Sequence, residues 1–193
     1  LAAGYGSRLY NLTKNTPKPA LMIGQKPIIC HVIDYLTGWG IRNIIIKVFY
    51  KAPQIEKALS DREVDYIWEK TLSGTAGFLK KHEIILDDDF LVVNGDTLTN
   101  LNLTKFIFFH YQYNNIATIF TKDTAQHCGG TYAFKKEIIK YINTDHDMID
   151  KDLIPLLLKE NIPISLYNDD SWYFDTNTKE KLQKARKYYA KFN

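Results

Sequence analysis

Gly4, Gly6 and Arg8, with Lys18 set between Pro17 and Pro19, are the residues of this chain best suited to holding a polyphosphate. Glycine lets a backbone turn tightly and presents bare N–H groups to an anion. Arg8 and Lys18 add fixed positive charge to the same neighbourhood. Asp96 follows the apolar run Phe90–Val93 within Asn94-Gly95-Asp96-Thr97, and Asp175 closes Trp172-Tyr173-Phe174. A carboxylate at a strand end is well placed for a divalent ion, and Mg²⁺ is usually held by one or two carboxylates together with phosphates and water. Each feature also has an ordinary counterpart. Gly and Asp are default turn residues, and a carboxylate just before a helix is favoured by the helix dipole. The glycine turn is not the dinucleotide fingerprint, which needs a third glycine after Gly6, and no Gly-Lys-Ser/Thr of a P-loop is present.

Two further glycine stretches stand out. Ser73-Gly74-Thr75-Ala76-Gly77 opens a helix, and its glycines and N–H groups suit the approach of a flat base and ribose; the plain alternative is a helix N-terminus. Cys128-Gly129-Gly130-Thr131-Tyr132 reads either as backbone facing a ligand or as a tight strand entry. His31 and His127 read as ordinary surface or partly buried residues.

The elements that must position these residues alternate. Helices are expected over 27–36, 53–59, 75–81, 104–113, 136–142, 148–160 and from 179 to 191, with Asn177 and Glu180 as a capping pair for the last. Strands are expected over 43–50, 64–69, 90–93, 116–121, 131–134, 164–167 and 172–174. This order predicts an α/β fold: a three-layer, mainly parallel, Rossmann-like sheet with helices on both faces, in a single domain over 1–193. Ligands of such sheets bind beyond the carboxyl ends of the strands, where the polar motifs lie. An apolar strand should lead into the first turn, so a few residues are expected before Leu1.

Composition sets outer bounds. The chain has 193 residues, enough for a real core, and 45% are hydrophobic, as in globular proteins. A net charge of +3 without clustering gives no reason to expect nucleic acid. Apolar runs are too short for a transmembrane helix, so no membrane partner is expected. Cys30 and Cys128 form neither a disulfide framework nor a metal-ligand spacing, which points to a reducing cytoplasm.

The stretch Leu1–Leu9 with Thr16-Pro17-Lys18-Pro19-Ala20-Leu21 resembles the signature of the sugar-1-phosphate nucleotidyltransferases. That signature runs Leu-Ala-Gly/Ala-Gly-x-Gly-Thr/Ser-Arg-Leu and then Pro-Lys-Pro-Leu. The resemblance implies transfer of a nucleoside monophosphate from an NTP to a sugar 1-phosphate, with release of pyrophosphate and Mg²⁺ as cofactor. It assigns Arg8, Lys18 and Asp96 to catalysis, and Asp96 with Asp175 to the metal. Leu1, Ala2, Ala3, Gly4, Gly6, Ser7, Gly74 and Thr75 would hold the nucleotide, and Gly95, Gly129 and Gly130 the substrate. The Gly74–Gly77 form looks most like mannose- or heptose-1-phosphate guanylyltransferases; thymidylyl, uridylyl and cytidylyl transfer stay open. One departure is clear. The family's β-rich excursion, ending in Glu-Lys-Pro, is replaced by Lys122-Asp123-Thr124-Ala125-Gln126. Two other functions therefore remain: a sugar-nucleotide-binding domain with weakened catalysis, and a phosphocholine-type cytidylyltransferase. Oligomeric state is not legible.

Overall fold

A computed structural model describes residues 1–124 and 128–191. Ala125, Gln126 and His127 lie outside the described residues, so the expectation for His127 and part of the 122–126 bridge finds no structural counterpart. In chain order the strands are β1 (Met22–Ile23), β2 (Lys26–Pro27), β3 (Ile45–Val48), β4 (Asp65–Trp68), β5 (Asp89–Val93), β6 (Thr97–Thr99), β7 (Ala117–Thr121), β8 (Cys128–Lys135), β9 (Ile164–Tyr167) and β10 (Tyr173–Asp175). The α-helices are α1 (Tyr10–Thr13), α2 (Ile28–Gly38), α3 (Ala52–Ala58), α4 (Thr75–Lys81), α5 (Leu103–Tyr113), α6 (Ile154–Lys159) and α7 (Lys179–Tyr189).

Contacts divide the chain into two compact units, one formed by Leu1–Leu72, Asn94–Asn100 and the stretch from Trp172 onward, the other by Ser73–Val93 and Leu101–Ser171. In the first unit β3 and β4 pair in parallel, and β6 and β10 pair antiparallel with Thr97 opposite Asp175. The segment Leu1–Ala3 bonds to both: Ala2 N–H donates to the Lys47 carbonyl in β3 at 3.1 Å, and Gly95 N–H, just before β6, donates to the Leu1 carbonyl at 2.9 Å. Helix α2 buries Ile28, Ile29, Val32, Ile33 and Leu36, the face expected from their helical spacing. Burying an aliphatic side chain of this kind contributes roughly 1.5–3 kcal/mol.

The second unit holds a four-stranded sheet in the order β5-β8-β7-β9. Strand β7 is buried along its whole length, as its apolar and threonine composition requires at the sheet centre. Here the sheet is mixed rather than mainly parallel. β7 and β9 are parallel, but β8 runs antiparallel to both β5 and β7. The reason is the short connection 122–127: a parallel neighbour needs a crossover of about a dozen residues or more, whereas a short link returns the chain antiparallel.

Two expected helices differ. The run 136–142 forms a 3₁₀ helix over Lys136–Tyr141. The run 148–160 divides into a π-helical turn, Ile149–Leu153, and α6. Pro155, in the first turn of α6, has no N–H to continue the upstream hydrogen-bond ladder, so the register changes there. The last helix is capped by Thr178, whose side chain accepts from the Lys181 N–H, and not by Asn177.

Candidate active site

The glycine turn is held from within. Gly6 has φ of 64°, and a Cβ there would stand 2.9 Å from Thr13 Cγ2 and 3.1 Å from Lys18 Cβ. Glycine is required on both counts. Thr13 Oγ1 donates to the carbonyls of Gly6 at 3.0 Å and Leu9 at 3.1 Å, closing the loop upon itself. Gly4 is different: a Cβ there would meet nothing within 4 Å. Gly4, Ser7 and Arg8 are exposed, and no side chain among the described residues pairs with the Arg8 guanidinium. Ala2 and Ala3 are buried, with the Ala2 N–H spent on the sheet, so Leu1–Ala3 supply framework more than bare donors.

Lys18 is buried, and its ammonium is the hub of the site. It pairs with Asp96 Oδ2 at 2.5 Å and donates to Asn177 Oδ1. The Asp96 carbonyl accepts from Thr176 Oγ1 at 2.8 Å, which fixes the strand end. Asp175 sits opposite Thr97 on the antiparallel partner strand, one residue from Asp96, and its Oδ2 pairs with Lys181 at 2.5 Å. Gly95 is needed between them: a Cβ would stand 2.9 Å from Ile29 Cδ1 and 3.1 Å from Ala2 Cβ. Its demonstrable role is close packing against the first segment. The structure thus brings Lys18, Gly95, Asp96 and Asp175 together beside the Gly4–Arg8 turn, all within the first unit.

Among the described residues no cluster of three or more His, Cys, Asp or Glu stands ready for a metal. Two carboxylates on neighbouring strands suit a hard ion that completes its shell with phosphate oxygens and water. They do not suit zinc, which takes three or four protein ligands, chiefly nitrogen and sulfur.

Residues that the sequence did not reveal support this set. Asn177 and Lys181 are the partners of Lys18 and Asp175. Lys47 and Glu69 form a fully buried ion pair at 3.1 Å beneath the first segment, whose Ala2 N–H bonds the Lys47 carbonyl. A lysine inside the apolar run Ile44–Val48 was the available signal for that pair.

In the second unit the 74–77 stretch departs from expectation. The N–H groups of Gly74, Ala76 and Gly77 donate to the Asp145 and Asp147 carbonyls at 2.8, 2.9 and 3.0 Å. A Cβ on Gly74 would stand 2.0 Å from the Asp147 oxygen, and one on Gly77 1.9 Å from the Asp145 oxygen. These glycines admit a neighbouring backbone, so three of the donors expected to meet a nucleobase are already engaged. Thr75 Oγ1 accepts from the Ile149 N–H at 2.8 Å. Gly129 and Gly130 lie buried at the start of β8. Gly130 has φ of 71°, where the pairing shifts between Ile119–Tyr132 and Thr121–Cys128, so the tight entry is a bulge. Beside it Tyr132 Oη donates to Asp150 Oδ1 at 2.5 Å. Burial, then the Asp150 carboxylate, push the Cys128 thiol up to about 12 and raise the Tyr132 phenol, so both stay protonated. Lys122 donates to the Asp169 carbonyl at 2.6 Å.

With this geometry the chain can be set beside known proteins. A family model described as nucleotidyl transferase matches residues 1–129. The chain belongs to the nucleotidyl transferase family. Among its relatives, a mannose-1-phosphate guanyltransferase of Gibberella zeae is 28% identical over 201 residues, covering 83% of this chain and 55% of that protein. A UTP–glucose-1-phosphate uridylyltransferase of Synechocystis is 28% identical over 226 residues, covering 91% and 58%. The chain therefore spans little more than half the length of these two relatives. HddC from Yersinia pseudotuberculosis superimposes with a TM-score of 0.82 at 25% identity, over 97% of this chain and 96% of that one. A second HddC structure, complexed with GMP-PN, has a TM-score of 0.80 at 24% identity. The nucleotidyl transferase fold is α/β, as expected from the order of elements. Among the described residues no helix is long and apolar enough to cross a membrane.

Proposed function

We propose that this chain transfers a nucleoside monophosphate from an NTP, GTP by preference, to a sugar 1-phosphate. The observation that carries the reading is the buried Lys18 ammonium, held by Asp96 and Asn177, beside a glycine turn bearing the exposed Arg8. A sugar-phosphate oxygen attacks the α-phosphorus while the bond from that phosphorus to the bridging oxygen breaks. Pyrophosphate leaves with the electron pair. Such transfer needs alignment and charge neutralisation more than a covalent residue. Arg8 takes the charge growing on pyrophosphate, and Lys18 faces the reacting phosphates. Asp96 and Asp175 would hold Mg²⁺, which supplies Lewis-acid charge at the α-phosphate. The GMP-PN complex of HddC and the guanyltransferase relative favour guanine; the uridylyltransferase relative keeps UTP as the next choice. Cys30 and Cys128, present as thiols and not in a disulfide, suit a cytoplasmic setting.

A second reading, a sugar-nucleotide-binding domain with little turnover, is favoured by one observation. Lys122, which lies in the short stretch standing where the family carries its Glu-Lys-Pro segment, is engaged by the Asp169 carbonyl. Pyrophosphate release tests both. GTP, UTP, dTTP, CTP and ATP are each paired with mannose, heptose and glucose 1-phosphates and with phosphocholine. Release with GTP and a sugar 1-phosphate is expected. Tight NTP binding without release from any pair would favour the binding domain. Release only from CTP with phosphocholine would replace both readings.

A further inference from the structure

The segment Phe49–Gln54, which runs from the end of β3 into the first turn of α3, grips both flanks of the glycine turn. On the near flank the Tyr5 ring meets Phe49 edge-on, with centroids 5.7 Å apart, and Tyr50 at 5.3 Å. On the far flank, where α1 ends, Tyr50 Oη donates to the Thr13 carbonyl at 3.3 Å and lies 3.5 Å from that of Lys14. Lys51 Nζ donates to the same Lys14 carbonyl, and Gln54 Nε2 donates to the Asn15 carbonyl at 2.9 Å. A helix end leaves such carbonyls without partners, and a cation is favoured over them. Lys51 itself has φ of 52°, a left-handed conformation disfavoured for any residue with a Cβ. A non-glycine backbone held in that conformation, at a site braced on both sides, is a candidate for a functional constraint. Between the two grips lie Gly6, Ser7 and the exposed Arg8.

We propose that Tyr50, Lys51 and Gln54 are positioning residues for the triphosphate: they hold the Gly4–Arg8 turn in its phosphate-receiving form before the ligand arrives. The inference rests on the reading of that turn as the triphosphate site. A site competent for only a fraction of the time binds with an apparent Kd equal to its intrinsic Kd divided by that fraction. If Lys51→Met with Gln54→Ala lowers the held fraction from near one to about a tenth, the apparent Kd for the NTP rises about tenfold. The KM for the sugar phosphate, measured at saturating NTP, stays unchanged. Lys51→Arg, which keeps a donor, restores NTP binding. Lys51→Gly relieves the left-handed conformation while deleting the donor. It should melt no lower than the wild type and still bind the NTP more weakly, a divergence that a merely structural role would not produce.

The assay is calorimetry with GTP and UTP on the full chain, alongside thermal melts. Trypsin cleavage after Arg8 and Lys14 serves as an independent report of the turn's freedom, and faster cleavage is expected in the double variant. Wild-type and double-variant chains binding NTP equally tightly, with equal cleavage rates, would overturn the inference alone. A wild-type chain that takes up no NTP overturns the reading of the site, and the inference falls with it.

Discussion

Asp96→Asn separates charge from shape at the centre of the site. Asparagine keeps the size and one acceptor oxygen but removes the negative charge that faces Lys18 Nζ at 2.5 Å. The Lys18 side chain is 7% exposed, so its ammonium would be left with the Asn177 oxygen. Breaking a fully buried pair by removing one partner costs about 3–5 kcal/mol. Asp96 is 28% exposed, and solvent screening brings the cost down toward that of one charged hydrogen bond, about 1.5–3 kcal/mol. For a domain of this size each kcal/mol moves the melting temperature by about 2–4 °C, so a fall of about 3–12 °C is expected. Turnover should drop further than stability does, by at least ~10²-fold, if Asp96 holds the Mg²⁺ whose positive charge stabilises the transition state, as proposed. Thermal melts and pyrophosphate release at saturating Mg²⁺ measure the two effects separately. The cycle with Lys18→Met adds a check: both substitutions delete the same pair, so their stability losses should not add. Wild-type turnover in a less stable Asp96→Asn variant would refute the reasoning. Asp96 would then be only the counter-ion of Lys18.

Other outcomes follow from the same geometry. Arg8→Ala should lower kcat/KM for the NTP about tenfold to hundredfold, the worth of one charged hydrogen bond, with no change in melting, since Arg8 is exposed and pairs with no described side chain. Gly4→Ala should melt like the wild type and bind NTP more weakly, whereas Gly77→Ala, whose methyl would sit 1.9 Å from a backbone oxygen, should lose about 3 kcal/mol or more in a denaturant titration. Lys181→Met should cost under about 1 kcal/mol, as exposed pairs do, yet tighten Mn²⁺ binding severalfold by calorimetry, because it removes a cation 2.5 Å from Asp175. Burial lowers the His110 pKa below 6.5, although Asp89 pulls it back up. The unfolded chain then binds the proton more readily, so stability present above pH 6.5 is lost as pH falls below it. Melts between pH 7.5 and 5.5 should drop more steeply for the wild type than for His110→Gln.

The candidate site was legible in the sequence where its residues lie close together. A glycine turn with an arginine, a lysine between prolines and a carboxylate after an apolar strand each carry their meaning within a few residues, and Lys18, Asp96 and Asp175 do converge. What stayed hidden depends on partners far along the chain. Nothing near Gly74 reveals that the Asp145 and Asp147 carbonyls will occupy its loop's donors. The pairing of Asn177 with Lys18 and of Lys181 with Asp175 is likewise a product of packing. Long helices and buried strands were legible from periodicity, as α2 and β7 illustrate. The π-turn before α6 was not, though Pro155 marked the place. The antiparallel course of β8 was implicit in the brevity of 122–127, a length cue that the alternation of elements masked.

The interleaving of the two units has a consequence for how the protein is born. The first unit draws on three separated stretches, and its third begins only at Trp172. On the ribosome the second unit is wholly synthesised before the strand that carries Asp175 appears. Until then β6 has no β10 to pair with, and Lys18 and Asp96 wait without Asn177 and Thr176. A nascent chain halted before that strand can present the glycine turn and the lysine but not the Lys18–Asn177 and Thr97–Asp175 pairings. These pairings thus form only once β10 has been made and docks, and such sequence-distant contacts are the slow ones to form.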